Sequence, residues 1–178
     1  MNSVQISSIL NNLDATRNLF NGCYKNDTIP FHLKSKRNGF FIVNTNVNVT
    51  TMGHWILFYI KYSVLYFFDS FGENIKTYGL DIESFFSSFN GDKVIAIRSP
   101  LQDDLSYVCG AYVIYFAYMM GKNHSIYSIK SKFSKNRKRN DIYVTKFILI
   151  KTRTYITCNR RYCSSYMFQT KCRQYCTC

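Results

Sequence analysis

The sequence predicts an α+β domain in which helices lie on a mostly antiparallel sheet. Three observations predict it. An amphipathic helical segment opens the chain, several short apolar runs bounded by turn residues follow, and a continuous apolar stretch runs from Ala111 to Met120. At 178 residues the chain fits one domain, and with 47% apolar and 17% aromatic residues it has ample material for a buried core.

Met1 to Phe20 reads as a polar amphipathic helix with Ile6, Ile9, Leu10 and Leu13 on one face. It lacks the charged leader, apolar stretch and small-residue cleavage site of a secretory signal, so secretion is not expected. A polar stretch reaches Asn38, and Phe40 to Asn44 forms a short apolar strand. After a loop of Asn, Val and Thr, His54 to Ile60 and Val64 to Phe68 are apolar runs separated by Lys61-Tyr62-Ser63, which predicts a hairpin with Asp69 at its exit. Phe71-Gly72 turns the chain away. Leu80 to Phe89 carries Ile82, Phe85, Phe86 and Phe89 at helical spacing, and Lys93 to Ile97 is a further strand ended by Ser99-Pro100. The Ala111–Met120 stretch is far short of the ~20 residues a membrane span requires, and reads as a core helix.

Beyond Gly121 the pattern weakens. Tyr143 to Thr154 reads as a strand, while roughly the last 25 residues show little period of either kind and read as a flexible tail. Residues 1–121 are therefore the expected core, and 122–178 a basic, Cys-rich C-terminal region, either part of the same domain or a tail.

The net charge of +13 is uneven. Residues 1–110 balance their acidic and basic side chains, whereas Asp141 is the one acidic residue after them. Lys130, Lys132, Lys135, Arg137, Lys138 and Arg139 cluster beside Tyr127 and Phe133, a composition suited to phosphate-backbone contacts and equally to a solvated surface. Of the seven cysteines, Cys158, Cys163, Cys172, Cys176 and Cys178 crowd the end, while Cys23 and Cys109 stand alone. Without a secretory signal the thiols are expected to be reduced. The terminal spacing lacks paired C-x2-C knuckles and a nearby histidine, so no metal site is expected. The sequons at Asn26, Asn48 and Asn123 read as chance.

The chemistry concentrates at Gln102 to Gly110. A thiol attacks a carbonyl as thiolate, and Cys109 sits where a helix start, its dipole and an imidazolium can favour that form. His54, between Gly53 and Trp55, can take the thiol proton and later return one to a leaving amine. Asp69 can orient the imidazole across the hairpin. Gln102, with the Cys109 backbone N–H, can face the oxyanion. Trp55 can lie against the imidazole and favour its charge, and Gly53 and Gly110 let a substrate backbone approach. Singly, each has a plain structural explanation: a small buried hydrophobe, a satisfied histidine, a turn aspartate, a surface amide. Their joint order, His, Asp, Gln, Cys, favours nucleophilic acyl transfer.

On these motifs (Ile42-Val43-Asn44-Thr45, Gly53-His54-Trp55, Tyr66 to Gly72, and Gln102 to Cys109-Gly110) the chain resembles the adenovirus-type cysteine proteases, the adenain group. More distantly it resembles the wider group of SUMO- and ubiquitin-like-specific proteases and proteases of large DNA viruses. The resemblance spans roughly Phe40 to Met120 and implies a papain-like or adenain-like fold with the nucleophile at a helix N-terminus. It implies His54 as base, Asp69 as third member, Gln102 as oxyanion donor and Cys109 as nucleophile. The third position is typically Glu in the adenoviral enzymes and Asp on the SUMO-protease side.

The family further implies cleavage of viral capsid or core precursors after Gly-containing sites during virion maturation, in the virion and in the host nucleus or cytoplasm. Stimulation by DNA and by a short viral peptide is also implied, the peptide held by a disulfide to an enzyme cysteine between the third triad residue and the nucleophile. No cysteine lies between Asp69 and Cys109 here. No cofactor is expected for the chemistry, nor a membrane partner, and a monomer is expected. Two other readings stand beside this one: removal of a ubiquitin-like modifier, with Trp55 roofing a Gly-Gly channel, and a non-enzymatic basic DNA-binding protein with an inert Cys109.

Overall fold

The computed structural model describes residues 1–29, 38–46, 53–87, 89 and 93–152. Helix α1, Ser3–Asn12, is set by a capping box: the Asn2 side chain accepts from the Gln5 N–H at 2.9 Å and the Gln5 side chain accepts from the Asn2 N–H at 3.0 Å. It buries Ile6 and Leu10. The helix stops well short of Phe20, because the chain turns after Leu13 and enters strand β1, Phe20–Lys25. The sequence FNGCYK shows no alternation and is only half-buried, which is why this edge strand reads as a polar connection.

The strands β2 (Asn38–Asn44), β3 (Trp55–Lys61), β4 (Val64–Phe68) and β5 (Lys93–Ile97) complete a five-stranded sheet in sequence order. Its three central strands are antiparallel, as the hairpin reading predicts, while both outer pairings, β1 with β2 and β4 with β5, are parallel. The β3–β4 hairpin closes through Tyr62 and Ser63, whose φ values of 48° and 62° match the twist that a two-residue turn needs.

Both faces of the sheet are covered, so the central strands read as apolar runs without polar alternation. Phe40, Ile42, Leu57, Tyr59 and Phe68 face α1 and helix α3, Cys109–Gly121. Phe41, Val43, Ile56, Phe58 and Phe67 face the other way, onto Ile75 and helix α2, Leu80–Ser87, through Ile82 and Phe85. Each large side chain so buried is worth about 1.5–3 kcal/mol of transfer free energy. Helix α3 is apolar all round because it is enclosed all round: ten of its residues, Gly110 to Tyr118 and Met120, are buried.

Helices α4, Ile126–Lys130, and α5, Arg137–Thr152, follow. The strand expected from Tyr143 to Thr154 is thus a helix through Thr152, and its last two residues lie outside the described ones. Its β-branched and aromatic residues favour a strand locally, but Val144, Phe147 and Ile148 recur at helical spacing and lie against α3, with Phe147 edge-on to Tyr115 and Tyr118 at ring separations of 4.9 and 5.2 Å. Ile126, Ile129 and Val144 join the core around α3, so the C-terminal region through residue 152 is continuous with the rest. The expected tail and its cysteines, Cys158 to Cys178, lie outside the described residues. Among the described residues no helix is long and apolar enough to cross a membrane.

Candidate active site

The site forms where the β3–β4 hairpin, the start of α3 and the loop before it converge. His54 immediately precedes β3 and is held by the end of β2: its N–H donates to the Thr45 hydroxyl at 3.2 Å, and the Thr45 N–H donates to its carbonyl at 2.9 Å. Gly53 is required there, because a Cβ would collide with the Asn44 side chain. The Asn44-Thr45 and Gly53-His54 motifs are thus two sides of one junction.

Asp69 leaves β4 fully buried and accepts four hydrogen bonds. Oδ1 takes His54 Nε2 and the Phe71 N–H (3.0 Å), and Oδ2 takes the Glu73 N–H (2.8 Å) and the Tyr78 hydroxyl (2.6 Å). Burial pushes this carboxyl up, but the hydrogen bond and charge of His54, aided by Tyr78 and Phe71, outweigh it and hold the pKa below the ordinary carboxylate value. With Nε2 committed to Asp69, the other ring nitrogen is left for Cys109, the first residue of α3, whose sulfur takes hydrogen bonds from His54 and from the Trp55 backbone N–H.

Burial of Cys109 would raise its pKa, yet the His54 hydrogen bond and charge, the Trp55 N–H and the positive charge of the amino terminus bring it below the usual thiol value. Burial likewise pulls His54 down, but Asp69 and Cys109 prevail and raise it from 6.5 to about 9. Both shifts favour the thiolate–imidazolium form of the pair.

Gln102 is fully buried in the loop ahead of α3. Its Oε1 accepts from the Ser70 hydroxyl at 2.7 Å, and its Nε2 donates to the Ser106 carbonyl at 2.8 Å, which leaves one N–H of the amide uncommitted. The Leu101 and Gln102 N–H groups both donate to the Ser70 carbonyl, at 2.8 and 3.0 Å. Gly72, at φ 72°, lets Ser99-Pro100 press against this turn, where a Cβ would lie 2.6 Å from the Ser99 carbonyl carbon. The tetrapeptide Asp69-Ser70-Phe71-Gly72 therefore fixes the orienting acid with one residue and the candidate oxyanion donor with the next.

No family model matches the sequence, and no curated protein matches it. Among solved structures the chain is similar to ChlaDub1 from Chlamydia trachomatis, with 12% identity and a TM-score of 0.44 over 64% of this chain and 59% of that one. It is also similar to the Chlamydia abortus effector protein ChlaDUB, with 15% identity and a TM-score of 0.44 over 65% of this chain and 59% of that one. The chain thus spans about three-fifths of the length of the structures it matches.

The fold brings His54, Asp69 and Cys109 together, and Gln102, in the loop before α3, is held against Ser70 on the turn after β4. Trp55 differs from expectation. The rings against His54 are Phe71 (4.8 Å between centroids) and Tyr78 (6.0 Å), whereas the Trp55 side chain turns into the core and its indole N–H donates to the Met1 carbonyl at 3.0 Å. Strand alternation sends the residue after His54 to the opposite side of the chain. Gly110 faces Met1 and Ile6, where a Cβ would lie 3.1 Å from the Met1 Cβ.

Ser70 and Tyr78 had no signal of their own beyond proximity to Asp69. Of the basic cluster, Lys132, Lys135, Lys138 and Arg139 are exposed, Lys130 donates to the Ser99 hydroxyl at 2.8 Å, and Arg137 forks onto Asp104 at 2.7 and 2.5 Å. The described residues hold no group of three or more potential metal ligands.

Proposed function

We propose that the protein is a cysteine peptidase. The observation that carries this reading is the hydrogen-bonded line Asp69–His54–Cys109, with the thiol lowered and the imidazole raised at the start of a helix. The Cys109 thiolate attacks the substrate carbonyl carbon, forming a C–S bond while the carbonyl electrons move to oxygen. The Cys109 N–H and the free N–H of Gln102 are the donors for that oxyanion. His54 gives its proton to the leaving amine as the C–N bond breaks, and a thioester remains. A water molecule, deprotonated by His54, then attacks the thioester carbon; the C–S bond breaks and the thiolate returns. Asp69 stays ionised throughout and holds the ring.

The substrate bond follows a Gly-containing sequence, as the family resemblance implies. Two protein classes present such a bond: precursor proteins cut within Gly-containing sites, as in virion maturation, and conjugates of ubiquitin-like modifiers ending in Gly-Gly. The test is mass-spectrometric cleavage profiling on a diverse peptide pool and on a panel of modifier conjugates, native chain against Cys109→Ala. Cys109-dependent cuts in the pool alone assign the first class, and cuts confined to the conjugates assign the second. Products identical with and without Cys109 overturn the peptidase reading.

The exposed cations Lys132, Lys135, Lys138 and Arg139 are proposed as a DNA-backbone contact. Neutralising all four should weaken duplex binding and flatten its salt dependence. Unchanged binding would leave this cluster a solvated surface.

A further inference from the structure

Three residues in the first turns of α5 reach the loop that carries Gln102, and none belongs to the acyl-transfer chemistry described above. Asn140, 3% exposed, donates to the Leu101 carbonyl at 3.0 Å and to the Ser134 carbonyl at 2.9 Å, while its own oxygen accepts from the Ser134 N–H at 2.9 Å. Asp141, 4% exposed, accepts from the Tyr112 hydroxyl at 2.9 Å and from the Asp103 N–H at 3.4 Å. Tyr112 lies one turn into α3 from Cys109, and its hydroxyl also reaches the Leu101 carbonyl at 2.9 Å. Arg137, at the start of α5, holds Asp104 in a two-pronged ion pair.

The loop around Gln102 is thus tied to α5 through the Leu101 carbonyl, the Asp103 N–H and the Asp104 side chain, and the Ser70 contacts tie it to the hairpin. A buried carboxylate and a buried amide are costly to place unless their bonds are met, and both find partners in this loop or beside it. The loop's apolar anchors, Leu101 and Val108, lie at its two ends, and its middle brings little: Leu105 is 87% exposed and Tyr107 72%. Without α5 its geometry would rest on the Ser70 and Ser106 bonds, the Tyr112 hydroxyl on the Leu101 carbonyl, and the loop's own turn bonds.

We infer that Arg137, Asn140 and Asp141 form a brace that positions the Gln102 loop for oxyanion stabilisation, so that the C-terminal helix is a positioning element of the active site. The inference rests on the peptidase reading for its catalytic consequence, and on geometry alone for the brace. The brace acts on the carbonyl-activation step and leaves the thiolate untouched, since the hydrogen bonds of the three residues go to the loop, to Ser134 and to Tyr112 and not to Cys109 or His54.

The experiment compares the native chain with Asp141→Asn, Arg137→Asp and the charge swap Arg137→Asp/Asp104→Arg, each first shown by its melting curve to be folded. Two readouts are used: amide hydrogen exchange across 101–106, and turnover of a cleaved peptide set beside Cys109 alkylation by iodoacetamide. Exchange at 101–106 should quicken about tenfold in the single variants while 54–58 and 68–73 stay unchanged. kcat should fall about 10- to 100-fold with KM and the alkylation rate unaltered, and the swap should restore most of it. If the buried Asp141 variant does not fold, the exposed Arg137–Asp104 pair decides.

Unchanged exchange in folded variants overturns the brace whether or not the protein cleaves anything. Quickened exchange with unchanged kcat overturns the positioning role. A native chain that cleaves no substrate instead counts against the peptidase reading, and the exchange result still decides the brace.

Discussion

His54 and Asp69 are 15 residues apart along the chain, and every other donor to Asp69 lies within nine residues of it. Gln102 and its loop are held instead by Ser70, 32 residues back, and by Arg137, Asp141 and Asn140, which pair with Asp104, Asp103 and Leu101 at separations of 33, 38 and 39 residues. One half of the site is thus assembled by a hairpin and the turn after it, where loop closure costs little. The other is assembled by segments that meet only once α3 and α5 have docked. Local assembly should make the acid–base half robust and its chemistry nearly independent of the rest. The oxyanion half should depend on distant packing.

The sharpest break is at the centre where both halves act. Cys109→Ala should reduce cleavage below detection with the fold retained, because a methyl group there removes the nucleophile and little volume; the check is a progress curve beside a melting curve. His54→Ala should cost nearly as much, since residues that act as one unit are not additive. Full activity in Cys109→Ala would end the comparison, as neither half would then serve this chemistry.

Substitutions confined to one half should separate them. Asp69→Asn places an amide against the Glu73 N–H and the Tyr78 hydroxyl and disturbs the ring's tautomer, so kcat should fall about 10²- to 10⁴-fold, and alkylation of Cys109 should slow with it. Gln102→Ala should lower kcat about 10²- to 10³-fold with alkylation unchanged, since the thiolate needs no oxyanion donor. Equal loss of alkylation in both variants would show that the halves are not independent.

The same division explains what a reader of the sequence can see. His54, Asp69 and Cys109 stand out because their signals are local: glycines beside a histidine, an acid at a strand exit, a cysteine opening an apolar helix. The hairpin and β5 are legible for the same reason, as period-two or wholly apolar runs with turn residues between them. Strand β1 is not, because FNGCYK gains its strand identity from pairing with β2. Helix α5 is not either, since Tyr143 to Ile150 favours a strand by composition and becomes a helix only through Val144, Phe147 and Ile148 against α3. The brace residues Asn140 and Asp141 read as ordinary polar residues, because their partners in the Gln102 loop are 39 and 38 residues away. Trp55 neighbours His54 in sequence but not in side-chain contact, because strand alternation sends the two to opposite sides.

The pH dependence sharpens the acid–base half alone. His54 is raised to about 9, so its share of stability is fully present below the ordinary 6.5 and is lost as pH climbs through about 9. Cys109 is lowered, so its share is present above its ordinary 9.0 and is lost as pH falls through the lowered value. The reactive ion pair occupies the window between those two folded-state values, and cleavage should decline on the alkaline side near 9. In Cys109→Ala the thiolate no longer supports the imidazolium, and the His54 titration, followed by its ring proton resonances, should move to lower pH. An unmoved titration would mean that Asp69 alone sets the imidazole.

The smallest expected effect falls on a long-range tie of the hairpin half, the Trp55 indole N–H on the Met1 carbonyl, 54 residues away. Trp55→Phe keeps an aromatic ring in the core and the backbone N–H that faces Cys109, and removes only that donor. The loss should be about 1 kcal/mol of stability, an ordinary hydrogen bond plus a little packing, with kcat and the His54 titration within about twofold of the native chain. The bond ties the residue ahead of α1 to the start of β3, so releasing it tests whether the hairpin half carries its geometry alone. A tenfold fall in kcat from this substitution would place the amino-terminal segment among the supports of the nucleophile, and the division between a locally built half and a distantly braced one would have to be redrawn around Met1.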